Sequence, residues 1–175
     1  MPKGHMEGRR VDEFTGGVCQ TDRHGFKSNW KDLEEVTRFF VEYICDLFGM
    51  LVNEISIYEK DLWILDLVEG LQGPRSYDAD LWCEQLTDEQ LRHVLVDLNP
   101  TRLSLRATPS EQFQIDNFQK TYEELRLSRA NWVTGENLLT LDCSRLSIRG
   151  KMFTADEINR FLRHVLVDGG APRLI

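Results

Sequence analysis

Residues 101–106 read TRLSLR, an alternation that puts Leu103 and Leu105 on one side of an extended chain and Arg102, Ser104 and Arg106 on the other. The pattern returns in NEISIY (53–58), EELRLS (123–128) and SRLSIR (144–149), and less completely in APRLI (171–175). Aligned on the first inward residue, Ile55, Leu103, Leu125, Leu146 and Leu174 are separated by 48, 22, 21 and 28 positions. The interval of 48 leaves room for one poorly marked strand at Asp78 to Trp82. That strand brings the period to about 20 to 29 residues, the range of leucine-rich repeats. One strand with its connection cannot bury its apolar side alone, so such units stack on one another. The expected fold is therefore α/β: an irregular leucine-rich-repeat-like right-handed solenoid with parallel strands on the concave side and helices outside. The asparagine ladder of regular repeats is missing.

The connections carry helix signals. LRHVLVD occurs twice, at 91–97 and 162–168, and each copy follows a capping box, Thr87–Gln90 and Thr154–Glu157. Leu91, Val94 and Leu95 form the apolar face of the first helix, and Ile158, Phe161, Leu162, Val165 and Leu166 that of the second. Identical heptapeptides suggest one packing problem met twice. Further helices are expected from Trp30, capped by Asn29, to Phe48, with a stripe of Leu33, Val36, Phe40, Ile44 and Leu47, and over 61–71 and about 113–122. A helical turn or two is expected at 134–141. Residues 1–28 lack periodicity and read as a mobile arm, of which the first five resemble a cloning remnant, leaving 29–175 as a single domain.

The charge of -8 opposes nonspecific binding to phosphate backbones. No run of about 18 apolar residues and no signal peptide is visible, which points to a cytoplasmic or nuclear protein away from membranes. Cys19, Cys45, Cys83 and Cys143 are too dispersed for a zinc motif or a disulfide framework and read as reduced thiols. His93 and His164 fall on polar helix faces without ligand-spaced partners and read as solvated. No cofactor or metal is implied. Hydrolase, metalloprotease and nucleotide-binding signatures are lacking, so the expected role is binding rather than catalysis.

The carboxyl-terminal stretch NWVTGENLLTLDCSRLSIRGKMFTADEINRFLRHVLVDGGAPRL (131–174) resembles the nematode F-box-associated domain of the second type. There a tryptophan-containing stretch, LLxLxC, a strand, an Asn-Arg-Phe-Leu helix and a GGxPRL ending follow in that order. Trp132, Leu138, Leu139, Leu141, Cys143, Asn159, Phe161, Gly169, Gly170 and Pro172 carry the match, while Val165 and Ala171 stand where the family often has tryptophan and asparagine. The likeness is firm over 130–175 and extends more weakly over 52–122. It implies the substrate-recognition domain of an F-box-type ubiquitin ligase receptor, which would reach a Skp1-like adaptor through an F-box. Residues 1–50 show none. A stand-alone leucine-rich-repeat-like adaptor is the alternative reading, and a nucleic-acid-binding module a third.

Strand parity places the candidate site. Glu54, Arg102, Glu124, Arg145 and Arg173 form one outward row of mixed sign, suited to cross-strand ion pairs. Tyr58, Arg106, Ser128 and Arg149 form another, in which no acid is expected to answer the arginines. With Arg126 between the rows, the expected partner-binding residues are Arg106, Arg126, Arg149, Tyr58 and Ser128, with Trp132 at the rim. Their expected partner is an acidic or phosphorylated protein segment. Trp30, Trp63 and Trp82 read as packing residues.

Overall fold

The computed structural model describes residues 19–22, 25–28, 33–58, 61–73, 75–116 and 118–167. Two compact units divide the chain, 1–50 and 51–175. The first contains a hairpin, β1 (Cys19–Asp22) paired antiparallel with β2 (Gly25–Ser28), and helix α1 (Leu33–Phe48). The hairpin falls within the expected arm; the rest of that arm, together with Asn29 and Trp30, lies outside the described residues. Sequence reading grouped α1 with the strands that follow, whereas it falls in the first unit. Its expected core stripe is mostly uncovered: Val36 is buried, but Phe40, Ile44 and Leu47 remain about half exposed.

The second unit is built on five parallel strands whose spatial order is their chain order: β3 (Glu54–Tyr58), β4 (Asp78–Trp82), β5 (Arg102–Arg106), β6 (Thr121–Ser128) and β7 (Asp142–Ile148). Residues facing one another across neighbouring strands lie about 21 to 24 positions apart, and the weak strand at 78–82 is present in full. One face is apolar. Ile55, Ala79, Leu103, Leu125 and Leu146 form one inward row, and Ile57, Leu81, Leu105, Leu127 and Ile148 the next. All are buried except Leu146 and Ile148 on the last strand, which are partly covered.

Returning chain covers that face. Helix α2 (Trp63–Gln72) contributes Leu65 and Val68, and α3 (Asp88–Arg92) contributes Leu91 before passing into a π-helical turn, His93–Asp97, that buries Val94 and Leu95. Helix α4 (Gly135–Thr140) and helix α5 (Ala155–Leu166) follow. Each of α3, α4 and α5 starts at a threonine that accepts from the backbone N–H three residues on, while that residue's side chain accepts from the threonine N–H.

Two expectations fail here. Among the described residues of 113–122 no helix forms. After a turn at 111–112, none of the described residues is helical until β6 begins at Thr121. Phe113, Ile115, Phe118 and Tyr122 are nevertheless buried. The carbonyls that would have bonded along a helix are taken by neighbouring side chains: Arg92 donates to Gln114 O at 2.8 Å, Asn137 to Ile115 O at 2.7 Å and Thr140 to Phe118 O at 3.1 Å. The second failure is the shared role of the two heptapeptides. The first copy passes into the π turn, closed by Leu98 N–H to His93 O, and seals Leu91, Val94 and Leu95; the second is α-helical through Leu166, with Leu162 45% and Leu166 79% exposed. The expected strand at 171–175, with Leu174 and Arg173, lies outside the described residues.

Candidate functional site

The second face of the sheet carries the outward rows. At the amino ends of the strands Glu54, Asp78, Arg102, Glu124 and Arg145 lie side by side. Their charges answer one another. Arg102 forks onto Glu123 at 3.0 Å and lies 3.6 Å from Asp78, and Arg145 lies 3.8 Å from Glu124. The Glu123 carboxyl is held below its usual range by the Arg102 hydrogen bond. Exposed pairs of this kind contribute little to stability, and they mark a balanced edge rather than a site.

The carboxyl ends differ. Tyr58, Trp82, Arg106 and Ser128 stand in register across β3 to β6, and Arg149 continues β7 by donating its N–H to Leu127 O at 2.8 Å. Tyr58 is 65% and Trp82 46% exposed. A cavity of about 710 Å³ opens here, and its lining includes the guanidinium-bearing residues Arg106, Arg126, Arg129 and Arg149 with Ser104, Ser128 and Ser147. Of the residues expected at the site, Arg106, Arg126, Arg149 and Ser128 thus meet around one opening, with Tyr58 in register at the far end of the row.

Trp132 does not belong with them. It is buried, with its ring edge-on to Phe113 at 5.2 Å and tilted against Phe118 at 6.1 Å, because the turn after β6 carries it to the covered side of the sheet. The tryptophan that does face outward is Trp82, which sequence reading assigned to packing. The parity of DADLW pointed to it, since inward Ala79 and Leu81 require an outward Trp82. Arg106 lies over its ring, 5.6 Å from the centroid.

The expected lack of acids also fails in part. Glu84, in the loop after β4, lies 3.6 Å from Arg106 and 3.0 Å from Arg129, while Glu124 bonds Arg126 two residues along the same strand at 2.7 Å. Loop residues have no parity, so alternation could not reveal Glu84. Arg129 was missed for the same reason. It sits just past β6 in the left-handed region at φ 59°, a conformation that costs a non-glycine residue on the order of 1 kcal/mol, and its guanidinium is fixed by Thr108 at 2.7 Å and Glu84. Gly150 lies against it at φ 91°; a Cβ there would come within 3.0 Å of the Arg129 Cα. Arg149 has no acid partner among the described residues.

Residues 111–174 match the F-box associated family. No curated protein and no solved structure matches the chain. The F-box associated segment starts upstream of the firm resemblance at 130, taking in the non-helical run that buries Phe113, Ile115 and Phe118. It supplies Arg126, Arg129, Arg149 and the serines of β6 and β7; Trp82, Glu84 and Arg106 come from the chain before it. The site therefore spans the matched segment and its upstream neighbours.

Elsewhere, His93 is not merely solvated. Its Nε2 lies 2.9 Å from Asp66 of α2 and its Nδ1 2.9 Å from Asp97. No group of three or more histidine, cysteine or acidic side chains is placed to hold a metal ion among the described residues. Cys83 and Cys143 are buried, and burial pushes the Cys143 thiol up to about 11. Among the described residues no helix is long and apolar enough to cross a membrane.

Proposed function

We propose that this chain is the substrate-recognition domain of an F-box-type ubiquitin ligase receptor, a binding module without a catalytic step. In this reading the stacked strands are an irregular leucine-rich-repeat-like right-handed solenoid, and the polar face of the sheet is its concave, partner-binding side. The protein acts in the cytoplasm or nucleus on an acidic segment of a protein partner. The observation that carries the reading is the cavity at the carboxyl ends of β5 to β7, where four arginines and an exposed tryptophan gather on a chain of net charge -8. Arginine and tryptophan are the residues that most often anchor protein interfaces, and arginine forks match carboxylates. The match of residues 111–174 to the F-box associated family supports the receptor part of this reading.

The test uses the native full-length protein expressed in its own cells. A ligase receptor co-purifies with a Skp1-like adaptor and a cullin, and the triple substitution Arg106→Glu, Arg126→Glu, Arg149→Glu retains both while its substrate accumulates and escapes ubiquitylation. Absence of adaptor and cullin, with protein partners still lost in the triple variant, would favour a stand-alone adaptor instead.

A further inference from the structure

We infer that the arginine cavity receives a phosphate monoester carried on a side chain of the partner, and that Trp82 and Tyr58 receive an apolar side chain about three to four residues away from it. This deepens the protein-binding reading above and rests on it.

Charge and donor number select the ligand. Glu84 answers Arg106 and Arg129 and Glu124 answers Arg126, while Arg149 has no acid partner among the described residues, so the four guanidinium groups exceed the two carboxylates by two positive charges. One carboxylate brings a single negative charge and is saturated by one arginine fork. A phosphate monoester brings about -1.5 to -2 and three acceptor oxygens, which fits both the excess charge and the crowd of donors. Ser104, Ser128 and Ser147 add hydroxyls to the same opening. The donors are also held before any ligand arrives. Glu84 fixes Arg129, Arg106 rests on Trp82, and Glu124 fixes Arg126, so little side-chain freedom is lost on binding.

The aromatic residues set the second contact. Strands lie about 4.8 Å apart, so a phosphate centred over β6 stands about 10 Å from Trp82 on β4 and about 14 Å from Tyr58 on β3. An extended peptide crossing the strands advances about 3.3 Å per residue and covers those distances in three to four residues.

The experiment is an array of short peptides with a central phosphoserine and degenerate flanks, in which leucine or phenylalanine is scanned along either side. Copies with serine or glutamate at the centre are probed with the same chain. The expected result is binding of the phosphoserine set at least about tenfold tighter than the glutamate set, with an apolar preference three to four positions away on one side. That preference should vanish in Trp82→Ala. Affinity should fall at least about tenfold in Arg149→Glu and in Arg126→Glu, each with an unchanged melting temperature. Binding should weaken as pH falls through about 6, where the phosphate monoester loses its second charge. Equal binding of glutamate peptides, still lost in the arginine variants, would overturn the phosphate inference and leave the acidic-segment reading standing. Phosphopeptide binding undiminished by both arginine variants would overturn the site. No retention of any peptide would overturn the inference and the acidic-segment reading together. Displacement of the phosphopeptide by a single-stranded oligonucleotide whose affinity falls steeply with salt would assign the cavity to nucleic acid and overturn both.

Discussion

At the scale of single residues the sheet is read most easily where parity applies and least where loops intervene. Arg106, Arg126 and Arg149 follow from alternation alone, whereas Glu84 and Arg129 are loop residues brought to the cavity by the return of the chain. Gly150 shows how tightly this corner is built: Gly150→Ala should cost about 1 to 3 kcal/mol in denaturant unfolding, because the backbone at φ 91° strains any Cβ and the new atom meets Arg129. His93 makes a second prediction. Its hydrogen bond to Asp97, and then that to Asp66, raise its pKa above the ordinary value, against the opposing effect of partial burial. A raised folded-state pKa means that the clip stabilises below the unfolded value near 6.5 and that this stability is lost as pH rises through the folded pKa. The melting temperatures of the native protein and His93→Gln should therefore differ most below about pH 6.5 and converge as pH rises through the folded pKa. Both ring contacts are half exposed, so the difference should stay within about 1 kcal/mol.

At the scale of elements the repeated LRHVLVD separates local preference from context. With equivalent capping boxes, the first copy forms a short helix with a π turn, whereas the second is α-helical through Leu166. Leu95 is sealed and its counterpart Leu166 is 79% exposed. Leu95→Ala should cost about 2 to 5 kcal/mol, whereas Leu166→Ala should fall within about 0.5 kcal/mol of the native protein, compared by chemical denaturation. The caps at Thr87 and Thr154 are a case where local sequence was enough; the box at Thr134 was not foreseen. Thr87, Thr134 and Thr154 all close their boxes, and Thr154→Ala should lower stability by about 1 kcal/mol. The absent helix over 113–122 is the opposite case. Its apolar spacing suits a helix, but Arg92, Asn137 and Thr140 satisfy its carbonyls from outside, which removes the need for internal bonds.

At the scale of the whole molecule the second unit carries its own core, which among the described residues runs from Ile55 to Cys143. Residues 51–175 expressed alone should therefore unfold cooperatively and keep the far-ultraviolet signature of a parallel sheet; a broad, noncooperative melt would show that the core depends on the preceding segment. The sequence by itself determined the five strands, their two faces and their spacing of just over twenty residues, because alternation and apolar pattern are properties of neighbours along the chain. It also determined the helix starts at Thr87 and Thr154, whose capping boxes lie within four consecutive residues. Only the tertiary structure decided which copy of LRHVLVD is sealed, that Trp132 in the turn after β6 is carried to the covered side of the sheet, and which acids hold the arginines of the cavity in place. Those outcomes depend on residues about 20 to 45 positions apart being brought within a few ångströms by stacking, and a pattern read along the chain does not contain that distance.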